Sequence, residues 1–497
     1  MNRLLLFCSF ILIFPLAPLH AVEFDAKAID ALAEKALKDF ETPGLAIAIV
    51  KDDKVLLVKG YGVREVGGKE PVTENTLFAI ASCSKAFTAG SVASLIDEGK
   101  MKWDDRLSQH LTGFRLADPL ADREVTLRDS MSHRHGLSRH DVLWIKSPWS
   151  REEIIQRMAY IAPTTSFRST FEYNNLMFLA AGQAAGKANG SSWEDVVQKK
   201  IFNPLGMKAA CFSTTVVEKR EHARPHRRDE ERKVESFPWD NIDNVGPAGS
   251  INACVGELSQ WLRVQLNEGK LGDRRILSTA TIKEMHMPQM VVRLEGRWPT
   301  TFPLDVTTQL SYGLGWFISD YRAHHCVSHG GTLEGFRAQT LLFPKDKLGI
   351  VVLSNLGGCR LPEALSKSIS DTLLGLPAID WNARYVASDK NAVAADKLAD
   401  ELRKKQRNEN TKPSLKLEEY VGIYTAADYG DLIIALDKES LQLKWSSFEF
   451  PLKHFHFDTF AFAKPDRNLT DDRVVFRLNG AGKVESLTCV GKEFKRK

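Results

Sequence analysis

Strand-like runs stand at both ends of a long helical stretch in this chain, and that placement constrains its fold more than any other feature. At one end GLAIAIV and KVLLVKGYGV flank the turn KDD, residues 51–53, and read as a hairpin. At the other, HHCVSH, FRAQTLLF and KLGIVVLSN follow one another between residues 324 and 355. The region between, from about residue 105 to 290, is mostly helical in pattern. The economical arrangement is an α+β fold. One antiparallel sheet, built from both ends and flanked by helices, has a helical domain beside it. The flanking helices are expected over 25–40, with Ile29, Leu32, Ala33 and Leu37 on one face, over the stretch ending near Gly99, and near 361–375.

The pattern changes after residue 379. DKNAVAADKLADELRKKQRNENTK is charged and poor in large apolar residues, so 380–412 reads as a partly helical, exposed linker. Beyond it come short alternating runs: DLIIAL, LQLKW, FEFPL, FAFA, RVVFRL and VESLTCV. They predict a separate small β-barrel-like domain over 413–497. At 497 residues the chain is long enough for two or three domains, which agrees with a first unit over 22–379 and a second after the linker.

The first 21 residues, MNRLLLFCSFILIFPLAPLHA, join a basic start to an apolar stretch broken by Pro15 and Pro18 and end at Ala21. They fit a secretory signal, hence a secreted or periplasmic protein with no stable membrane span after processing. The competing reading is a retained N-terminal anchor. Six cysteines remain after the signal, scattered and without CxxC spacing, and are expected as buried free thiols. The net charge of +4 is small for this length and no basic stripe appears, which argues against nucleic acid. The densest charge run, RPHRRDEERK at 224–233, mixes signs and reads as a solvated loop.

The chemistry is carried by three short motifs. In FAIASCSKAFTAG, Ser82 precedes Lys85 by three residues, so on a helix the two share a face. About two Ser-x-x-Lys matches would arise by chance in a chain this long. A serine hydroxyl needs a base and oxyanion donors before it is a useful nucleophile. Lysine is such a base only when burial or a second cation lowers its pKa; otherwise its charge can hold a tyrosine as phenolate. In STFEYNNLMFLAAG, Tyr173 and Asn175 supply a Tyr-x-Asn pair. In SHGGTLEGF, His329, Gly330 and Gly331 close a strand, and the glycines let a substrate lie against the backbone.

Taken in order, Ser82-x-x-Lys85, Tyr173-x-Asn175 and His329-x-Gly331 resemble the three motifs of the serine β-lactamase and penicillin-recognising hydrolase superfamily. The spacing is similar to its class C branch, with its D-aminopeptidases, carboxypeptidases and esterases. VTLRDSMSHRHGL, IFNPLGM, GPAGSINACVGELSQW, YGLGW and GIVVLSNL match as well, over about 25–375. The resemblance implies Ser82 as the acylated nucleophile and Lys85 with Tyr173 in proton transfer. It implies Asn175 as the residue orienting Lys85 and the substrate amide, and the amides of Ser82 and Thr332 as the oxyanion hole. It implies a small-molecule or peptide substrate and no cofactor or metal. The third motif departs from the lactamase pattern, which usually has Lys-Thr-Gly. Histidine is mostly neutral near pH 7, so a weaker grip on a substrate carboxylate is expected. That favours a D-amino-acid peptide or an ester over a β-lactam. The tail resembles the β-barrel that follows such catalytic domains in some relatives, and self-association through it is expected.

Blander readings compete at several positions. Ser82 could merely cap a helix. A protein that kept the fold for ligand or cell-wall recognition would need no Lys85–Tyr173 pair. His133, His135 and His140 match no zinc spacing, and His324–His325 would point to opposite faces of a strand. Cys83 has no visible activating partner and reads as a small packing residue.

Overall fold

The computed structural model describes residues 24–464, 466, 469 and 472–497, so the secretory signal expected over 1–21 lies outside the described residues. The first helix, α1 (Ala26–Phe40), starts where the Asp25 side chain accepts from the Lys27 amide. β1 (Gly44–Lys51) and β2 (Lys54–Gly62) form the expected hairpin. Its turn residues, Asp52 and Asp53, both have positive φ, the geometry that two-residue hairpins favour. Three long helices follow in the middle of the chain: α2 (Ser84–Asp97), α3 (Asn175–Ala188) and α4 (Val255–Leu266). β3 (Met290–Val291), β4 (Leu310–Tyr312), β5 (Phe317–Tyr321), β6 (His324–Leu333), β7 (Phe336–Phe343) and β8 (Leu348–Ser354) then complete an eight-stranded sheet. Its order is β2-β1-β8-β7-β6-β5-β4-β3.

The two ends of the domain therefore meet inside the sheet, one strand in from the β2 edge, where Ile47 lies opposite Val352. β1 and β8 are apolar along their length because both faces are covered. Ala46, Ala48 and Val50 point toward α2 and α4, while Leu45, Ile47 and Ile49 face α1 and α5 (Leu361–Leu373). α2 has no polar face: Ser84 through Leu95 are all buried, and its Ser, Ala and Gly residues let neighbouring helices approach from every side. The sequence pattern began the second group of strands at residue 324. β3, β4 and β5 escaped it because they are only 2, 3 and 5 residues long and are broken by YGLGW.

The charged segment after 379 differs from the expected linker. Asp380 caps α6 (Trp381–Lys405), a continuous 25-residue helix. Trp381 and Tyr385 are buried among apolar residues of α1 and α5, so the helix is anchored in the first unit before it becomes exposed. Two aromatics one turn apart were masked by the charge around them. The RPHRRDEERK run likewise is not simply solvated. It forms part of a hairpin in which buried His226 bonds the Asn355 carbonyl at 2.8 Å and accepts from the Val66 amide at 2.9 Å. The last eight strands, from Gly422–Ala426 to Lys492–Arg496, close into a barrel in which every strand pairs with its sequence neighbours and the last pairs with the first. Cys83, Cys211, Cys254, Cys326 and Cys359 are free and buried, and Cys489 is buried.

Candidate active site

Ser82 sits in a 3₁₀ turn, Ala81–Cys83, that runs directly into α2. Ala81, just before it, is held at φ 47°, in the left-handed region where a non-glycine residue is strained. No side chain caps this helix start, so Ser82 is not there as a cap. Tyr173 and Asn175 are placed by a second helix start. Asn174 caps α3 by accepting from the Met177 amide at 3.0 Å, and Asn175 is the first helical residue.

Lys85 is fully buried, and its Nζ reaches three acceptors: Ser82 Oγ at 3.1 Å, Asn175 Oδ1 at 2.7 Å and the Ala248 carbonyl at 2.8 Å. It makes no ion pair with a carboxylate among the described residues. Burial, reinforced by the charge of Arg139, holds its pKa well below the ordinary lysine range. A neutral amine has two hydrogens and one lone pair. Donating to Asn175 and Ala248 leaves the lone pair for the Ser82 hydroxyl, which is the arrangement of a general base. The Tyr173 hydroxyl also lies within hydrogen-bonding reach of Ser82, and burial pushes its pKa up to about 12 against that contact. Of the two routes open in the sequence, the shifts favour the lysine as base beside a protonated tyrosine.

His329 differs from its expected part. It is 2% exposed, its Nε2 lies 2.9 Å from the Tyr312 hydroxyl and its Nδ1 2.7 Å from the Gly330 carbonyl. A carbonyl can only accept, so Nδ1 carries the proton and Nε2 accepts from Tyr312. Burial pushes its pKa down to about 3. Both nitrogens are taken and the ring is neutral, so His329 holds Tyr312 rather than a substrate carboxylate. Gly331 is needed for a close approach: a Cβ there would fall 2.2 Å from the Ile80 carbonyl, in the turn that carries Ser82.

β6 pairs with β5 only as far as Ser328, and beyond that it has β7 alone. Antiparallel pairs alternate in hydrogen bonding, and counting from the two-residue turn after Leu333 puts Thr332 at a non-bonded pair. Its amide therefore turns away from β7, toward the cleft. Two cavities of about 260 and 290 Å³ meet at Ser82, Arg139 and Thr332. The first is rich in cations (Arg139, Arg297, Arg337, Arg360, Lys367), with Glu363 paired to Arg337. The second combines Trp144, Ile145, Ile242 and Val245 with Asp141, Asp240 and Glu334.

Four contributors were not read from the sequence as site residues. The Ala248 carbonyl and Tyr312 lie in GPAGSINA and YGLGW, whose match to the family was the available signal. His133 packs its ring 4.4 Å from that of Tyr173 and accepts from the Asn174 amide at 3.1 Å. Asp141 accepts from Asn175 Nδ2 at 2.9 Å, and nothing in the local sequence marked it. His133 and His135 meet edge to face with ring centroids 6.2 Å apart while His140 turns to Tyr429, and among the described residues no cluster of three or more His, Cys, Asp or Glu is placed to hold a metal. Cys83 donates to the His329 carbonyl at 3.2 Å, and burial pushes its thiol up to about 12.

A serine beside a desolvated lysine and a tyrosine, under an unpaired strand edge, defines a serine hydrolase of β-lactamase fold. The chain belongs to the Beta-lactamase family, whose model matches residues 29–365. A second model, a domain of unknown function, matches 406–496. An unguisins hydrolase from Aspergillus violaceofuscus is 26% identical over 439 residues, 81% of this chain and 75% of that protein. Among solved structures, an octameric penicillin-binding protein homologue from Pyrococcus abyssi superposes with a TM-score of 0.62 at 21% identity, covering 95% of this chain and 100% of that one. A D-amino acid amidase from Ochrobactrum anthropi gives 0.57 at 19% identity, covering 70% and 97%. At these identities the two structures speak for the fold.

Proposed function

We propose that the protein hydrolyses an amide or ester bond through an acyl-enzyme on Ser82. The observation that carries this is Lys85, desolvated, with no carboxylate partner among the described residues, and 3.1 Å from Ser82 Oγ. Neutral Lys85 takes the Ser82 proton as Oγ attacks the carbonyl. The amides of Ser82 and Thr332 hold the oxyanion, since preorganised donors at the developing charge lower the barrier. Tyr173, protonated and beside Ser82, passes a proton to the leaving amine or alcohol as the tetrahedral intermediate collapses. Water then attacks the acyl-enzyme with the same pair as base, returning Ser82 and releasing the acid. Asn175 orients Lys85.

A D-amino-acid peptide or a small ester is favoured over a β-lactam, because the third motif supplies no cation to a ring carboxylate. The D-amino acid amidase among the structural neighbours supports that choice. Secretion or a periplasmic location is proposed from the leader alone. Self-association through the barrel is proposed from Ile423 and Ile433, cross-strand neighbours that are 44% and 41% exposed on its outer wall. Sizing the purified protein tests it. The function is tested by fluorophosphonate labelling, followed by D-peptides, short acyl esters and a chromogenic cephalosporin side by side. Ser82-dependent labelling with turnover of the first two is expected; turnover without any covalent intermediate would refute the reading.

A further inference from the structure

Asn175 has a nearly symmetrical side chain with opposite chemistry at its two ends: the oxygen accepts and the nitrogen donates. Oδ1 must face Lys85 for the lysine hydrogens to be satisfied and its lone pair left to Ser82. A flipped amide would set donor against donor. Inside the first unit, what selects the orientation is Asp141. Its Oδ1 accepts from Asn175 Nδ2 at 2.9 Å and from Trp144 Nε1 at 2.9 Å, and its Oδ2 accepts from Arg139 Nε at 2.7 Å. An ionised carboxylate offers no donor, so only the amide nitrogen can face it.

The loop that carries Asp141 is held from two sides: by the first unit, where Asn244 Nδ2 donates to the carbonyls of Trp144 at 2.9 Å and Ser147 at 3.3 Å, and by the barrel. His140 and Lys146 lie in the left-handed region, at φ 47° and 49°, where non-glycine residues persist only when their surroundings hold them. Both are held by the C-terminal barrel. His140 Nδ1 lies 2.9 Å from the Tyr429 hydroxyl, and the Lys146 carbonyl accepts from Ser447 Oγ. Trp149 packs edge-on against Trp445 at 6.2 Å, and Arg157 donates to the Asp428 carbonyl at 3.2 Å. The same Trp445 donates to the Tyr429 carbonyl at 2.9 Å, which fixes the tyrosine from inside the barrel.

We propose that Asp141 is a positioning residue for the Ser82–Lys85 centre, and that the barrel is a working part of the catalytic unit because it holds the loop on which Asp141 stands. This rests on the hydrolase reading above. It also assigns the barrel a task within a single chain: Tyr429 and Ser447 set the loop, the loop sets Asp141, and Asp141 sets the Asn175 amide.

The test uses the full chain and a chromogenic ester, with pre-steady-state acylation and thermal unfolding measured on each variant. Asp141→Asn cannot accept from three donors and can present its own nitrogen to Asn175. It should lose at least tenfold in kcat and in acylation rate, with KM changed by less than about threefold and Tm within a few degrees of wild type. Tyr429→Phe, which removes one hydroxyl at the barrel contact, should lower kcat severalfold with KM again unmoved. Wild-type kcat in both variants would overturn the proposal, as would a loss in which KM and Tm move in proportion to kcat. Should Asp141→Asn fail to fold, the Tyr429→Phe result decides. Ser82→Ala keeps the two readings apart. If it still turns over the ester, the hydrolase reading itself fails; if it is dead while Asp141→Asn is fully active, only the positioning role fails.

Discussion

The open sheet of the hydrolase unit and the closed barrel behind it are both antiparallel, yet they are assembled in opposite ways. In the sheet, β1 pairs with β8, so strands from the two ends of a long segment lie side by side. In the barrel each strand pairs with the next in sequence. The sheet leaves the edge of β6 unpaired beyond Ser328, and that gap is where Thr332 faces Ser82. Closure leaves the barrel no such edge. Whatever the barrel contributes must come from its outer surface, and the side that bears Tyr429 and Ser447 grips the loop of Asp141. An interrupted ladder makes a reaction site, and an uninterrupted one makes a support.

That division of labour can be broken most directly at the gap. Ser82→Ala should abolish covalent labelling and turnover while changing stability by no more than about 0.5 kcal/mol, because the hydroxyl neither caps a helix nor fills a core site. Labelling at another residue would move the site elsewhere. Next, Lys85→Ala and Tyr173→Phe should each cost about 10²–10⁴-fold, the usual range for proton transfer by a positioned group. Groups acting as one unit are not additive, so the double variant should lose little beyond the worse single. Multiplying losses would separate the two residues. Given its burial and its bond to Tyr312, His329→Lys should lower acylation of every substrate rather than favour carboxylate-bearing β-lactams; a selective gain with β-lactams would show that a cation at this position reaches the substrate.

Truncation sharpens the comparison further. A chain ending at Ile379 removes Trp381 and Tyr385 from the core beside α1 and α5, where losing a buried aromatic side chain costs about 3–5 kcal/mol. It should melt well below a chain ending at Lys405. The longer chain should fold and label at Ser82 more slowly than the full protein, since Tyr429 and Ser447 are gone. Equal labelling rates would reduce the barrel to an appendage.

The smallest expected effect concerns stability and pH. The folded pKa of Lys85 lies well below its unfolded value, so the unfolded chain binds the extra proton. Stability then rises with pH until the unfolded lysine loses its proton near pH 10.4. Lys85→Met should raise Tm by a few degrees at pH 7 and lose that advantage as the pH approaches 10. A Tm difference that is flat with pH would mean that Lys85 is charged in the folded protein.

Much of this could be read along the chain. Alternating runs after residue 413 announce small strands because side chains on a strand alternate between faces, and barrel pairing with sequence neighbours asks for nothing more distant. Ser82, Lys85, Tyr173, Asn175 and Gly331 are brought to one cleft from three motifs whose order and spacing are visible. The partly helical reading of 380–412 was right as far as it went, but the anchoring of α6 in the first unit was hidden by its charged surface, although Trp381 and Tyr385 stood in plain view.

The residue types that can carry acyl transfer were thus determined by the sequence itself. Their states were decided by the tertiary structure. The Lys85 pKa lies well below the ordinary lysine range because burial strips its ammonium of water, a consequence of packing from the whole unit. His329 is a neutral partner of Tyr312 because two strands set the rings 2.9 Å apart at their polar atoms. Asn175 presents its oxygen because Asp141 accepts from its nitrogen, and the neighbouring His140 meets a barrel tyrosine nearly three hundred positions further on. Desolvation and contacts between distant positions leave no local pattern, which is why the chemistry could be listed from the chain and its working arrangement could not.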